Sequence, residues 1–94
     1  MSEVVNKAVE ALGAKVDSFD AVAKFVISDE GSIMIDQNGV RAGDEPADVT
    51  LTASRETFEG LLDGSVNPTT AYMTGKLSID GSLGIAMQLG GILS

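Results

Sequence analysis

With 94 residues, 6 basic and 14 acidic, the chain is long enough for one domain with a core but leaves little apolar surplus for a second. A net charge of −8 repels a phosphate backbone, and no basic stripe or aromatic platform offsets it, which argues against nucleic acid as a partner. The absence of histidine and cysteine removes Ser-His and Cys-His nucleophile pairs, His-ligated zinc, disulfides and thiol chemistry together.

Val5, Ala8, Val9 and Leu12 fall at helical spacing, and Gly13 is placed to stop that helix. Its polar face carries Glu3, Lys7 and Glu10 instead of a cationic band, so it reads as a cover for the core and not as a membrane anchor. Residues 21–28 are strand-like, with Phe25 and Ile27 alternating against Lys24. Asp29-Glu30-Gly31 turns the chain back into a second strand, Ser32 to Asp36, where Ile33 and Ile35 share a face and Met34 opposes them. Asn38-Gly39 is a strong hairpin signal because both residues tolerate the positive φ of a primed turn, and Val40 to Ala42 follows as a short third strand.

A polar loop, residues 43–48, leads to a fourth strand in which Val49, Leu51 and Ala53 alternate with Thr50 and Thr52. Ser54 is the expected cap of the next helix, Glu56 lies in its first turn, and Phe58, Leu61 and Leu62 form its inward stripe.

The most informative stretch is residues 64–89. Asn67 caps and Pro68 suits the first position of a helix that carries Tyr72 and Met73, and Gly75 can leave it with φ above zero. Leu77 and Ile79 alternate with Lys76, Ser78 and Asp80 as a fifth strand with one wet face. Gly81-Ser82 then restarts a last, apolar helix whose stripe is Leu83, Ala86, Met87 and Gly90, with Leu89 beside it.

The run Asn67-Pro68, Ala71-Tyr72-Met73, Gly75-Lys76-Leu77, Ile79, Gly81, Leu83-Gly84 and Ala86-Met87 resembles the C-terminal signature of the sterol carrier protein 2 domain family. Residues 48–52 and the helix with Phe58, Leu61, Leu62 and Gly64 fit the same family in order and spacing. The match is strongest over residues 48–90 and weaker back through the Phe25, Ile27, Ile33, Ile35 and Asp36 strands. The resemblance implies one α+β domain over residues 1–94, with a mostly antiparallel sheet of about five strands and helices on one face. It also implies a hydrophobic tunnel for fatty acids, acyl-CoA, sterols or isoprenoid lipids. The inward positions on the tunnel elements, and so the expected lipid contacts, are Phe25, Ile33, Ile35, Leu51, Phe58, Leu62, Tyr72, Met73, Leu77, Leu83 and Met87. Met34, like Met73 and Met87, has the adaptable thioether that suits such a site.

Departures from the family pattern limit what transfers. Thr74 stands where members often have glutamine before the Gly-Lys pair, so head-group preference does not carry over. The terminal Ile92-Leu93-Ser94 is no peroxisomal address, Met1-Ser2-Glu3-Val4 lacks signal-peptide character, and no apolar run reaches a membrane span, so a bacterial-style cytoplasmic protein is expected. A charge of −8 weakens approach to anionic bilayers, leaving at most transient membrane contact.

Other chemistry finds little support. Asp44, Glu45 and Asp48 lack the ligand spacing of an EF-hand, Asp36 and Asp80 are strand-end aspartates with nothing to bring them together, and no phosphate-binding fingerprint occurs. No catalytic residue, metal or cofactor is expected. Lys76 sits either at the tunnel mouth, guiding a lipid carboxylate or phosphate, or on the wet face of its strand.

An acyl chain gains about 0.8 kcal/mol per buried CH2, enough to bind without polar anchors. An empty pocket of roughly 300 Å3 at about 24 cal/mol per Å3 costs close to 7 kcal/mol, comparable to the stability of a whole domain. The last helix is therefore expected either to enclose lipid or to lie collapsed on the sheet. Two readings follow: a non-catalytic lipid-binding or lipid-transfer domain, or an accessory subunit that docks a partner protein or presents a lipid to a biosynthetic enzyme. A continuous channel favours the first, and an exposed apolar patch beside the last helix favours the second.

Overall fold

The computed structural model describes residues 3–93, the side chain of the last of these excepted. Met1, Ser2 and Ser94, on which the readings about a leader and a terminal address partly rest, lie outside the described residues. Chain order is α1 (Glu3–Lys15), β1 (Ala23–Ile27), β2 (Gly31–Asp36), β3 (Gly39–Ala42), β4 (Val49–Ala53), α2 (Arg55–Asp63), α3 (Pro68–Met73), β5 (Leu77–Gly81) and α4 (Leu83–Leu93). The five strands form one sheet in the order β3-β2-β1-β4-β5, antiparallel except where β4 returns parallel to β1.

Alternation sorts the sheet into an inner and an outer face. Phe25, Ile33 and Leu51 sit side by side in register, with Ile79 beyond Leu51, and all face the helices. Ile27, Ile35, Val49 and Leu77 extend the same buried surface, and α1, α2 and α4 cover it with Val5, Leu12, Phe58, Leu61, Ala86 and Leu89.

Gly13 does not end α1. The helix continues to Lys15, with the Val16 amide donating to the Leu12 carbonyl at 2.8 Å, because buried Val16 and Phe19 hold the following chain against the core. That anchorage outweighs the roughly 1 kcal/mol cost of a helical glycine.

The second hairpin also turns one residue earlier than expected. Gln37 and Asn38 form the loop, Asp36 pairs with Gly39, and the Asp36 carboxylate accepts from the Asn38 amide at 2.9 Å. Only Gly39 takes a positive φ, 107°, since the Asp36 side chain already closes the turn around Asn38.

Met34 is buried on the outer face, not the inner one. The Gly43 loop lies over it, near enough that a Cβ on Gly43 would meet Met34 Cγ at 3.2 Å, and Lys24 bonds Asp44 across it at 2.8 Å. It therefore fills a small apolar site under a loop, away from the helices.

The C-terminal third follows its local chemistry closely. Ser54 Oγ accepts from Thr57 N at 3.2 Å to cap α2, and Asn67 Oδ1 accepts from Thr70 N at 3.1 Å to cap α3. Ser82 starts α4, with its Oγ accepting from Ile85 N at 3.3 Å. Gly81 is required where β5 meets α4: its φ is 110°, and a Cβ there would run into the Asp48 carbonyl and Val49 Cα.

Helix α4 lies down on β4, β5 and α3. Its buried stripe is Ala86, Leu89 and Gly90, while Leu83 faces outward and Met87 is half-buried, so the helix is rotated from the expected Leu83–Met87 stripe. Gly90 lets the two helices approach closely, since a Cβ there would stand 3.1 Å from Pro68 Cβ of α3.

Candidate functional site

Helices α1 and α2 run next to each other over the sheet and leave a cleft of about 370 Å3. Its floor is apolar, made by Val4, Ala8 and Ala11 of α1 and Phe58 and Leu62 of α2. Small residues at 8 and 11 keep α1 from filling the space. At the inner end Phe58 is buried and sets its ring edge-on to Phe25, centroids 4.6 Å apart, so this ring separates the cleft from the apolar interior above the sheet.

The rim is charged. Lys7 pairs with Glu3 at 3.3 Å, and Arg55 pairs with Glu59 at 3.2 Å, each one helical turn apart and exposed. Pairs of this kind contribute only about 0.3–0.5 kcal/mol, so an incoming carboxylate can compete for either cation at small cost. Inside, among the described residues, no buried side-chain nitrogen or oxygen lacks a hydrogen-bond partner. The interior thus offers an aliphatic guest no polar anchor; polar recognition is available at the rim.

Of the expected contacts, Phe58 and Leu62 line the cleft, and Phe25, Ile33, Ile35, Leu51 and Leu77 form the buried sheet surface behind it. Met87 lies half-buried, its Sδ 3.8 Å from Thr69 Oγ1. Tyr72, Met73 and Leu83 are exposed, contrary to their expected inward placement. Six-residue α3 buries Ala71 against the core, and its opposite side, with Tyr72 and Met73, turns to solvent. Lys76 is also exposed, in the turn between α3 and β5 and outside the cleft. Sequence reading missed Val4, Ala8, Ala11 and the cations Lys7 and Arg55. The usable signal was two helices that each pair a basic with an acidic residue four apart while carrying small or apolar neighbours.

The acidic residues of the 43–48 loop have structural work. Asp44 bonds Lys24, Glu45 bonds Arg41, and Asp48 Oδ2 accepts from the Val22 amide at 3.0 Å, so the three turn to separate partners. Among the described residues no group of His, Cys, Asp or Glu could hold a metal ion. Asp36 and Asp80 are far apart, on strands with β1 and β4 between them. The hydrogen bond from Arg41 at 2.8 Å, then that from the Asn38 amide, holds the Asp36 carboxyl below the usual range. Among the described residues no helix is long and apolar enough to cross a membrane.

Comparison with known proteins agrees with this architecture. Sterol carrier protein 2 of Homo sapiens is 44% identical over 46 residues, 49% of this chain and 8% of that protein. Hydroxysteroid dehydrogenase-like protein 2 of Xenopus tropicalis is 34% identical over 97 residues, covering 93% of this chain and 23% of that protein. The chain therefore spans less than a quarter of the length of either relative. Among solved structures, Sterol Carrier Protein-2 of Aedes aegypti, in complex with the C16 fatty acid palmitate, superposes with a TM-score of 0.80 at 17% identity, covering 100% of this chain and 97% of that one. At that identity the likeness is one of fold. The SCP-2 sterol transfer family, however, matches by sequence from residue 3 to residue 94, and with strands and helices in the arrangement that family's signature implies, this chain belongs to it.

Proposed function

We propose that this chain is a non-catalytic lipid carrier that takes a single long-chain lipid of the fatty acyl class through the cleft between α1 and α2. The observation that carries this reading is the cleft itself: an apolar floor, two weak ion pairs at the rim whose cations a carboxylate can take over, and the Phe58 ring between the floor and Phe25. Its size lies within the range of roughly 300–1,000 Å3 usual for small-molecule sites. Lys7 and Arg55 hold the carboxylate, and the tail displaces the Phe58 ring and runs along Phe25, Leu51, Ile33 and Leu77, forming the tunnel as it enters. The relative from Aedes aegypti, similar in fold, was solved with palmitate, which supports a guest of this class. A chain with neither histidine nor cysteine is suited to holding such a guest, not to transforming it.

Displacement of a fluorescent fatty acid by palmitate tests the proposal, with the Lys7→Glu, Arg55→Glu double variant beside the wild type. The expected result is uptake by the wild type, weaker palmitate binding by the variant, and equal binding of palmitate methyl ester, which carries no charge. No uptake by the wild type and no thermal stabilisation by palmitate would overturn the reading.

A further inference from the structure

The net charge of the chain is unevenly placed. Five of the six basic and thirteen of the fourteen acidic residues precede Gly64, so the whole excess of −8 lies there; residues 64–94 hold Lys76 and Asp80 alone. In this part, neutral overall, the protein exposes large apolar side chains: Met73 is 78% exposed, Leu83 46% and Tyr72 41%.

These side chains form one surface. Thr69, Tyr72 and Met73 share a face of α3 by their spacing, Leu83 and Met87 share a face of α4, and the Thr69 Oγ1 to Met87 Sδ contact at 3.8 Å joins the two. We infer that this α3–α4 face docks on the surface of a zwitterionic lipid bilayer, inserting Tyr72, Met73 and Leu83 at the headgroup level while the acidic remainder stays in water.

Charge and area both select this occupant. An anionic leaflet repels a protein of charge −8, whereas a neutral one meets a neutral face without penalty. Two helices about 9 Å apart, the longer about 16 Å, present at most roughly 300 Å2, well below the roughly 800 Å2 per partner of a stable protein interface. A bilayer sets no such minimum, and a few inserted side chains suffice for brief contact. Tyrosine, with an apolar ring and a polar tip, is the residue type that membrane interfaces favour. This surface is separate from the α1–α2 cleft, so the inference does not depend on what the cleft holds.

The test is flotation of the full chain with phosphatidylcholine vesicles, together with acrylamide quenching of tyrosine emission; the chain has one tyrosine and no tryptophan, so that emission reports Tyr72 alone. The wild type is expected to float and Tyr72 to become shielded. Replacing part of the lipid with phosphatidylserine should weaken binding, and added salt should restore it, the reverse of the response of a basic peripheral protein. The Met73→Ser, Leu83→Ser double variant changes only exposed side chains and should keep its melting temperature while losing about tenfold in vesicle partitioning. No flotation, flotation unchanged in the double variant, or Tyr72 left open to acrylamide would overturn the inference. So would a dimer in sedimentation that the double variant abolishes without vesicle binding, since that assigns the face to a second copy. Fluorescent fatty-acid uptake, measured on the same samples, tests the cleft independently.

Discussion

The ring of Phe58 stands edge-on to Phe25, centroids 4.6 Å apart and planes at 64°, joining a helix that borders the surface cleft to the centre of the sheet. Phe58 therefore both completes the core and lines the cleft. Phe58→Ala should cost about 3–5 kcal/mol in urea unfolding of the lipid-free protein. Palmitate at a hundred times its Kd adds about 2.7 kcal/mol to any carrier that binds it only when folded. Because the truncation leaves space that an acyl tail can fill, palmitate should bind the variant more tightly than the wild type and narrow the gap between them. A gap unchanged by palmitate would mean that the tail does not pass Phe58.

The parts of the fold that were legible in the sequence are those decided within a few residues. The Ser54 and Asn67 caps, the Pro68 start and the Leu77–Ile79 alternation are local chemistry, and each lies where its residue type requires. The rotation of α4 was not legible, because Leu83 to Leu93 contains only apolar residues, glycines and one glutamine, so no polar face orients it. Its orientation depends on what packs against it from outside the helix, β4, β5, α3 and the neighbouring helices, with Pro68 close to Gly90. The cleft was hidden for a similar reason: it arises between Ala8 and Phe58, fifty residues apart, and no periodicity within either helix records the pairing. Burial of the family's signature residues could not be inferred from the signature alone, as exposed Tyr72 and Met73 show.

Gly81 tests the junction that aims α4. Asp48 donates its amide to the Val22 carbonyl at 2.8 Å and accepts from Ser82 N at 3.2 Å, so the start of β4 is tied both to β1 and to the strand-to-helix turn. Gly81→Ala places a methyl group against the Asp48 carbonyl at a φ that L side chains rarely adopt. Steric displacement and backbone strain together should lower stability by about 2–4 kcal/mol, measured by chemical denaturation. Gly64→Ala, also at positive φ but with open space around it, should cost about 1 kcal/mol.

Asp36 supplies a pH signature. Its carboxyl is held below the ordinary range by Arg41 and by the Asn38 amide, so the folded state favours the charged form. The sign follows: the contribution is present above the unfolded-state pKa near 4 and is lost as pH falls through the lower folded-state value. Melting temperatures of the wild type and of Asp36→Asn should differ at pH 7 and converge as the pH drops below about 4. A difference that persists to the lowest pH would assign the effect to altered turn geometry instead of charge.

Met34 separates packing from ligand binding among the methionines. It is fully buried beneath the Gly43 loop on the face of the sheet opposite Phe25 and Leu51, with the Lys24–Asp44 pair beside it. Met34→Ala should cost about 2 kcal/mol, the low end for such truncations, because a loop can settle into the space more readily than two packed helices can. Fatty-acid uptake should be unchanged, since no part of the α1–α2 cleft reaches this side chain. Measured together, urea unfolding and probe displacement distinguish the two roles: loss of stability with intact uptake places Met34 in a satellite core, whereas weakened uptake would require a lipid path through the sheet to its outer face.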